Sequence, residues 1–137
     1  MAFVVHTYAA PTDYVPEWLG NRDSWRKGGE FFSCKILPLN DSEFHLVHKG
    51  AIEAEKDGGQ YYDFLRVRVP EISGLEIASN DGAVIPIKSG TDLLSYGRKY
   101  LDATTFSVLI GELTTAIMKQ SVLAQGELKV SSSLSAS

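Results

Sequence analysis

A single cysteine, Cys34, is all that 137 residues supply, so no disulfide can form within the chain, and a lone thiol fits a reducing compartment. A basic excess is also missing. Lys and Arg number 13 against 17 Asp and Glu, for a formal charge of -4, so nothing supplies the phosphate neutralisation that nucleic-acid binding requires. No apolar run approaches the roughly 20 residues of a membrane helix. The N-terminal Phe3-Val4-Val5 run is too short for a signal peptide and has no basic region before it. These absences lead to the expectation of a cytoplasmic protein that engages neither nucleic acid nor membrane. Phosphate-cradling loops are missing too. Gly28-Gly29 and Gly58-Gly59 have neither the following lysine nor the strand-to-helix setting of such loops. The carboxylates are scattered, and no catalytic motif stands out. The residues favour a binding protein over an enzyme.

What is present is the balance of a globular protein, with 44% hydrophobic and 22% charged residues. The expected fold is α+β: a small, mostly antiparallel sheet with an edge hairpin, packed against two or three helices, the longest of them C-terminal. One domain is expected over 1–127, followed by a polar, serine-rich and flexible tail over 128–137.

Phe3 to Tyr8 reads as a short β-branched strand. Pro11 and Pro16 then break regular structure, and a loop rich in aromatic and turn residues runs from Tyr14 to Trp25. There Tyr14, Trp18 and Leu19 are expected to cover a core edge while Gly20-Asn21 turns. The alternative is an aromatic patch for a partner, which makes Trp18 a candidate contact residue. Phe31 to Leu37 is a strand stopped by Pro38. Asn40 or Asp41 caps a helix beginning at Ser42, with Phe44, Val47 and Ala51 on one face and Asp57-Gly58-Gly59 at its end. Tyr61 to Val69 is ambiguous, alternating like a strand yet also suiting a helical turn. A hairpin is the plainest local signal: Leu75 to Ala78, a turn at Asn80-Asp81-Gly82, then Val84 to Ile87, with Pro86 requiring an edge or a very short strand. Ser89 to Asp92 caps a short helix cut off near Gly97.

The last helix, from an Asp102 cap to a Gly126 stop, organises the chain. At 3.6 residues per turn, Phe106, Leu109, Ile110, Leu113, Ala116, Ile117 and Ala124 form a core-facing arc. Val108, Thr115, Met118 and Val122 line the other side, broken by Gly111, and the interior charges are only Glu112 and Lys119, which point in nearly the same direction. So narrow a charged stripe predicts burial on two sides. Phe106, Ile110, Leu113 and Ile117 are assigned to the core, and Val108, Thr115, Met118 and Val122 to partner contact.

Two constellations could carry chemistry. Asp41, His45 and His48 share a helix face and could converge on zinc or iron, though the next residue on that face, Ile52, is no ligand. Cys34 with a histidine could form a nucleophile and base, but it sits mid-strand among apolar residues, where a free cysteine acts as a small hydrophobe. Neither pattern is reinforced elsewhere, so no metal, no cofactor and no catalytic residue is assigned.

The order of pieces is familiar. Val15-Pro16-Glu17-Trp18-Leu19-Gly20-Asn21-Arg22 follows a short strand; then come Asn40-Asp41-Ser42-Glu43, Gly74-Leu75-Glu76-Ile77, Asp81-Gly82 and Ser89-Gly90-Thr91-Asp92-Leu93-Leu94. A final helix ends in Ser121-Val122-Leu123-Ala124-Gln125-Gly126-Glu127-Leu128-Lys129. Together these resemble the small tail assembly chaperones of long-tailed bacteriophages. The basic, aromatic Ser24-Trp25-Arg26-Lys27-Gly28-Gly29 departs from the acidic, proline-containing continuation usual there. The resemblance implies a non-enzymatic protein in the cytoplasm of the infected host. Its role would be to coat the tape measure protein until tail tube protein replaces it. Rivals from other classes are a self-assembling virion component, such as a connector or tail-end protein, and a small metalloenzyme centred on His45 and His48. A homo-oligomer is compatible with the first two readings.

Overall fold

The computed structural model describes residues 2–3, 10–53 and 62–136, with side chains described at 2–3, 10–47 and 62–122. Its architecture is α+β, with small antiparallel sheets, helices around them and the longest helix last. Three strands, β1 (Thr12–Tyr14), β2 (Ser33–Ile36) and β3 (Glu71–Ser73), form one antiparallel sheet in the order β1-β2-β3. The strand expected over Phe3 to Tyr8 falls almost wholly outside the described residues.

Central β2 alternates as a half-buried strand must: Cys34 and Ile36 point into the core, while Lys35 points out to an ion pair with Asp13 at 3.0 Å. The hairpin forms where its turn residues place it, as β4 (Leu75–Ala78) and β5 (Val84–Ile87), with Ile77 opposite Ile85. It makes a separate two-stranded sheet, tied to the first by the Ile72 amide donating to the Lys88 carbonyl at 2.8 Å. Pro86 thus lies in an edge strand, where its missing N–H costs no interior ladder bond.

The helices are α1 (Asn21–Arg26), α2 (Asp41–Glu53), α3 (Leu65–Arg68), α4 (Gly90–Tyr100) and α5 (Ala103–Ala136). Asn40 and Glu43 form a reciprocal cap at the start of α2. Asn40 Oδ1 accepts from the Glu43 amide at 2.8 Å, and Glu43 Oε1 accepts from the Asn40 amide at 3.1 Å. Both Glu43 oxygens also accept from the Arg68 guanidinium, which joins α2 to α3. Burial acts to raise the Glu43 carboxyl, but the bonds from Arg68 and Asn40 outweigh it and hold the group below its ordinary value of 4.5. The resulting stabilisation is present above that value and is lost on acidification.

The ambiguous stretch before Pro70 resolves as a helical turn, because Leu65 and Val69, both fully buried, must share one face. Val47 is buried and Phe44 half-buried on the inner face of α2, while the side chain of Ala51 and the expected stop at Asp57-Gly58-Gly59 lie outside the described residues.

Two glycine expectations fail, each for a physical reason. Gly97 does not cut α4 short. It lies inside the helix, where a Cβ would stand 2.7 Å from the Phe106 ring, so it is a packing residue. Gly126 does not end α5 either, since the helical backbone continues through it into the serine-rich segment. A glycine inside a helix costs only about 1 kcal/mol, which neighbouring turns can absorb.

Among the described glycines, Gly90 has the least room for a side chain. A Cβ there would sit 2.0 Å from the Leu65 carbonyl oxygen, and its amide donates to Val69 at 2.8 Å. Gly90→Ala should therefore lower the free energy of unfolding in urea by about 3 kcal/mol, the upper end for overpacking. Ser95→Ala, on the exposed side of the same helix, should change it by less than about 0.5 kcal/mol.

Candidate interaction surface

Helix α5 starts as its sequence dictates, with Asp102 Oδ2 accepting from the Thr105 amide at 3.0 Å. Hydrogen bonding from the Thr105 side chain, and then from that amide, holds the exposed Asp102 carboxyl below its usual range. Phe106, Leu109, Ile110, Leu113 and Ile117 are buried along one arc and Ala116 is half-buried, as expected; the side chain of Ala124 is outside the described residues.

The remaining circumference divides into a covered flank and an open seam. The flank is closed by a strap running from β1 through a 3-10 turn (Trp18–Gly20) into α1. Its fastening is the Glu112 carboxylate. Oε2 accepts from the Tyr14 hydroxyl and the Glu17 amide, both at 2.7 Å, and Oε1 accepts from the Trp18 amide at 3.1 Å. An anion at the start of the 3-10 turn satisfies amide protons that have no partner within it. Gln120 adds a bond to the Thr12 hydroxyl at 2.8 Å. Buried Asn21 fastens the far side of the strap. Its amide donates to the Pro16 and Phe32 carbonyls at 2.8 and 3.0 Å, and its Oδ1 accepts from the Phe32 amide at 2.8 Å.

Two expectations about this region need correction. Trp18 is not a surface contact: it is 8% exposed, edge-on to Phe32, with its indole N–H donating to the Thr105 carbonyl at 3.1 Å. A large ring whose polar atom finds a partner is stable inside the core. Leu19 covers no core edge. It is 77% exposed, with φ at 51°. Of the narrow charged stripe, Glu112 is turned into the strap while Lys119 stays exposed. Of the two tryptophans it is Trp25 that reaches the surface, against Phe31 with ring centroids 6.2 Å apart.

The open seam holds most of the predicted contact residues. Val108 and Val122 are 57% and 54% exposed, and Thr115 is exposed with its hydroxyl donating back to the Gly111 carbonyl at 2.9 Å. Met118 departs from expectation in part, being half-buried and packed against the core. Thr104, Val108, Gly111, Thr115, Met118 and Val122 follow one another at alternating steps of four and three, the spacing of a helix-pairing seam. An added Cβ at Gly111 would meet no atom within 4 Å. Between seam and strap lies an open cleft of about 500 Å³, bounded by Tyr14, Arg22, Gly111, Thr115 and Lys119. Arg22 is already engaged there, donating to the Val15 carbonyl at 2.9 Å and Glu17 at 2.6 Å.

The chemical groups near the surface are spoken for. Burial, then the nearby Glu112 charge, pushes the Cys34 thiol up to about 12, so its thiolate is scarce at neutral pH. Burial and the hydrogen bond to Glu112 push Tyr14 up to about 12 as well. His45 is exposed beside Asp41 at 3.5 Å, while the His48 side chain lies outside the described residues. Among the described residues no group of three or more His, Cys, Asp or Glu could hold a metal ion, and no helix is long and apolar enough to cross a membrane.

The residue that sequence reasoning undervalued is Glu112. Its signal was present, a solitary carboxylate in a mostly apolar helix, but its partners lie more than ninety positions away. Hydrogen bonds to a charged group contribute roughly 1.5–3 kcal/mol each. Glu112→Ala should therefore destabilise the fold by about 3 kcal/mol or more in urea titrations, with Trp18 fluorescence shifting to the red at lower denaturant. Alkali should act on the same region. Cys34 and Tyr14 have ordinary values of 9.0 and 10.0, both raised in the fold. Their contribution is intact below about pH 9 and is lost as pH climbs towards about 12. Urea midpoints should fall across that window, and Cys34→Ala should remove the earlier part of the fall.

Comparison of the chain with protein-family models, curated proteins and solved structures returned no match.

Proposed function

We propose that the chain is a non-enzymatic binding protein of the phage tail assembly chaperone kind. In this reading it lays the open seam of α5 against apolar surface on a long helical partner, the tape measure protein. It keeps that partner soluble in the cytoplasm of the infected host until tail tube protein takes its place. The observation that carries this reading is Gly111. A glycine in the middle of an exposed helix costs about 1 kcal/mol relative to alanine. Among the described residues nothing occupies the space a Cβ there would take. Close approach of a second backbone gives the missing side chain a use. Val108 and Val122 flank it as exposed apolar residues, Thr115 adds a small one, and half-buried Met118 closes the edge. Each square ångström of apolar surface the partner covers contributes about 25 cal/mol. Trp18, held in the core, is no longer in the contact set.

A second reading, a virion component that assembles through the same seam, draws on that seam's fit to a copy of itself. Mass analysis of purified particles separates the two, since a chaperone is absent from mature virions.

Val108→Glu and Val122→Glu should each weaken partner binding about tenfold or more, because a carboxylate desolvated without a partner exceeds the 1.4 kcal/mol that a factor of ten represents. The readout is the soluble fraction of co-expressed tape measure protein, with circular dichroism showing the variants folded. Retention of full solubilising power by both variants would reject the seam. Gly111→Ala should raise the stability of the isolated chain by about 1 kcal/mol while weakening partner binding.

A further inference from the structure

We infer that, when no other partner is present, two copies of this chain pair through α5 in an antiparallel arrangement centred between Ala116 and Ile117. The inference rests on the seam being the open surface of the reading above, and not on what the natural partner is.

Size complementarity is the first support. With that centre, Gly111 of one copy faces Val122 of the other, and Thr115 faces Met118. Each small residue thus receives a large one, in layers spaced as helix-pairing seams require. The seam itself carries no charge.

Charge complementarity selects the direction and register. Glu112 and Lys119 lie on the same flank of the seam, and Lys119 makes no ion pair among the described residues. In an antiparallel pair each flank faces its own counterpart, so Lys119 of each copy meets Glu112 of the other, twice by symmetry. Glu112 has room for it: among the described residues Oε1 accepts the Trp18 amide alone, and a carboxylate oxygen can accept a second bond. Sliding the pair by one heptad would set Glu112 against Glu112. A parallel pair would set both charges against the uncharged opposite flank, which carries Thr114 and Ser121. The core arc lies on the far side of α5 and the strap on a flank, so neither obstructs a second helix across the seam.

Between residues whose side chains are described, the paired stretch runs from Gly111 to Val122, only about 17 Å at 1.5 Å per residue. Such a pairing is exchangeable, as a surface that must be surrendered to another helix requires.

The test uses the full chain, alone, with a spin label at Ser107→Cys or at Ala103→Cys, both exposed positions beside the seam; Cys34 is buried and escapes labelling. Helix geometry gives label-site separations of about 30 Å at 107 and about 42 Å at 103 for the inferred pair. A one-heptad slide gives about 21 and 32 Å, and a parallel pair gives about 10–15 Å at both. In sedimentation equilibrium Lys119→Glu should weaken the dimer about tenfold or more, and Lys119→Arg should keep it. A monomer at all concentrations, or any other pair of distances, overturns the inference. A monomer that still solubilises the tape measure partner would overturn the pairing and leave the function proposed above intact. A dimer with the expected distances and no such activity would do the reverse.

Discussion

Glu112 joins two parts of the chain that sequence keeps far apart. Its carboxylate, half-buried on α5, gathers the Tyr14 hydroxyl and the amides of Glu17 and Trp18. Those donors could be satisfied by water, so the net gain of each bond is modest, but the charge makes them stronger than neutral bonds and fixes three directions at once. Much follows from that fastening. Trp18 is delivered to the core, its indole N–H meeting the carbonyl of Thr105, the residue before buried Phe106. Cys34, beneath the strap, is sealed from solvent and its thiol loses its acidity. Asn21 completes the seal with three bonds of its own, leaving no unsatisfied polar atom on that side chain.

Once the strap is in place, α5 has three distinct sides. One packs into the core and one lies under the strap. The third runs as an uncharged seam from Thr104 to Val122, with Gly111 near its middle. The expectation of a helix buried on two sides was met in part from within the chain. The strap uses up one flank and Met118 turns inward, so the surplus apolar surface is narrower than periodicity implied. What remains is the width of a helix contact, which is why a helical partner is the natural occupant.

Short-range features were readable wherever a side chain bonds its own neighbours. Ser89 caps α4 by accepting from the Asp92 amide at 3.3 Å, Asp102 caps α5, and Asn40 with Glu43 closes a reciprocal cap. Asn80-Asp81-Gly82 makes its hairpin turn, with Gly82 donating to the Ser79 carbonyl at 3.0 Å. The stretch before Pro70 was not readable, because alternation and helical spacing fit the same residues, and burial of Leu65 and Val69 settled it. Gly97 misled because a packing demand, the Phe106 ring, explains it better than a helix end, while at Gly126 the helical backbone simply continues. Trp18 could be read as a core-edge cover or as a partner contact, and burial with a bond to Thr105, 87 positions on, decides for the first.

By itself, then, the order of residues determined the starts of α2, α4 and α5, the hairpin, the buried arc of α5 and the α+β class, all of which depend on periodicity and on bonds spanning a few positions. Only the tertiary structure decided which apolar residues stay outside. That choice is made by non-local closure: the strap returns to Glu112 across more than ninety residues, takes Trp18 and Tyr14 inward, and leaves Val108, Gly111 and Val122 uncovered. Local pattern cannot encode that, because an apolar side chain gains as much from a distant segment of its own chain as from any other surface that excludes water.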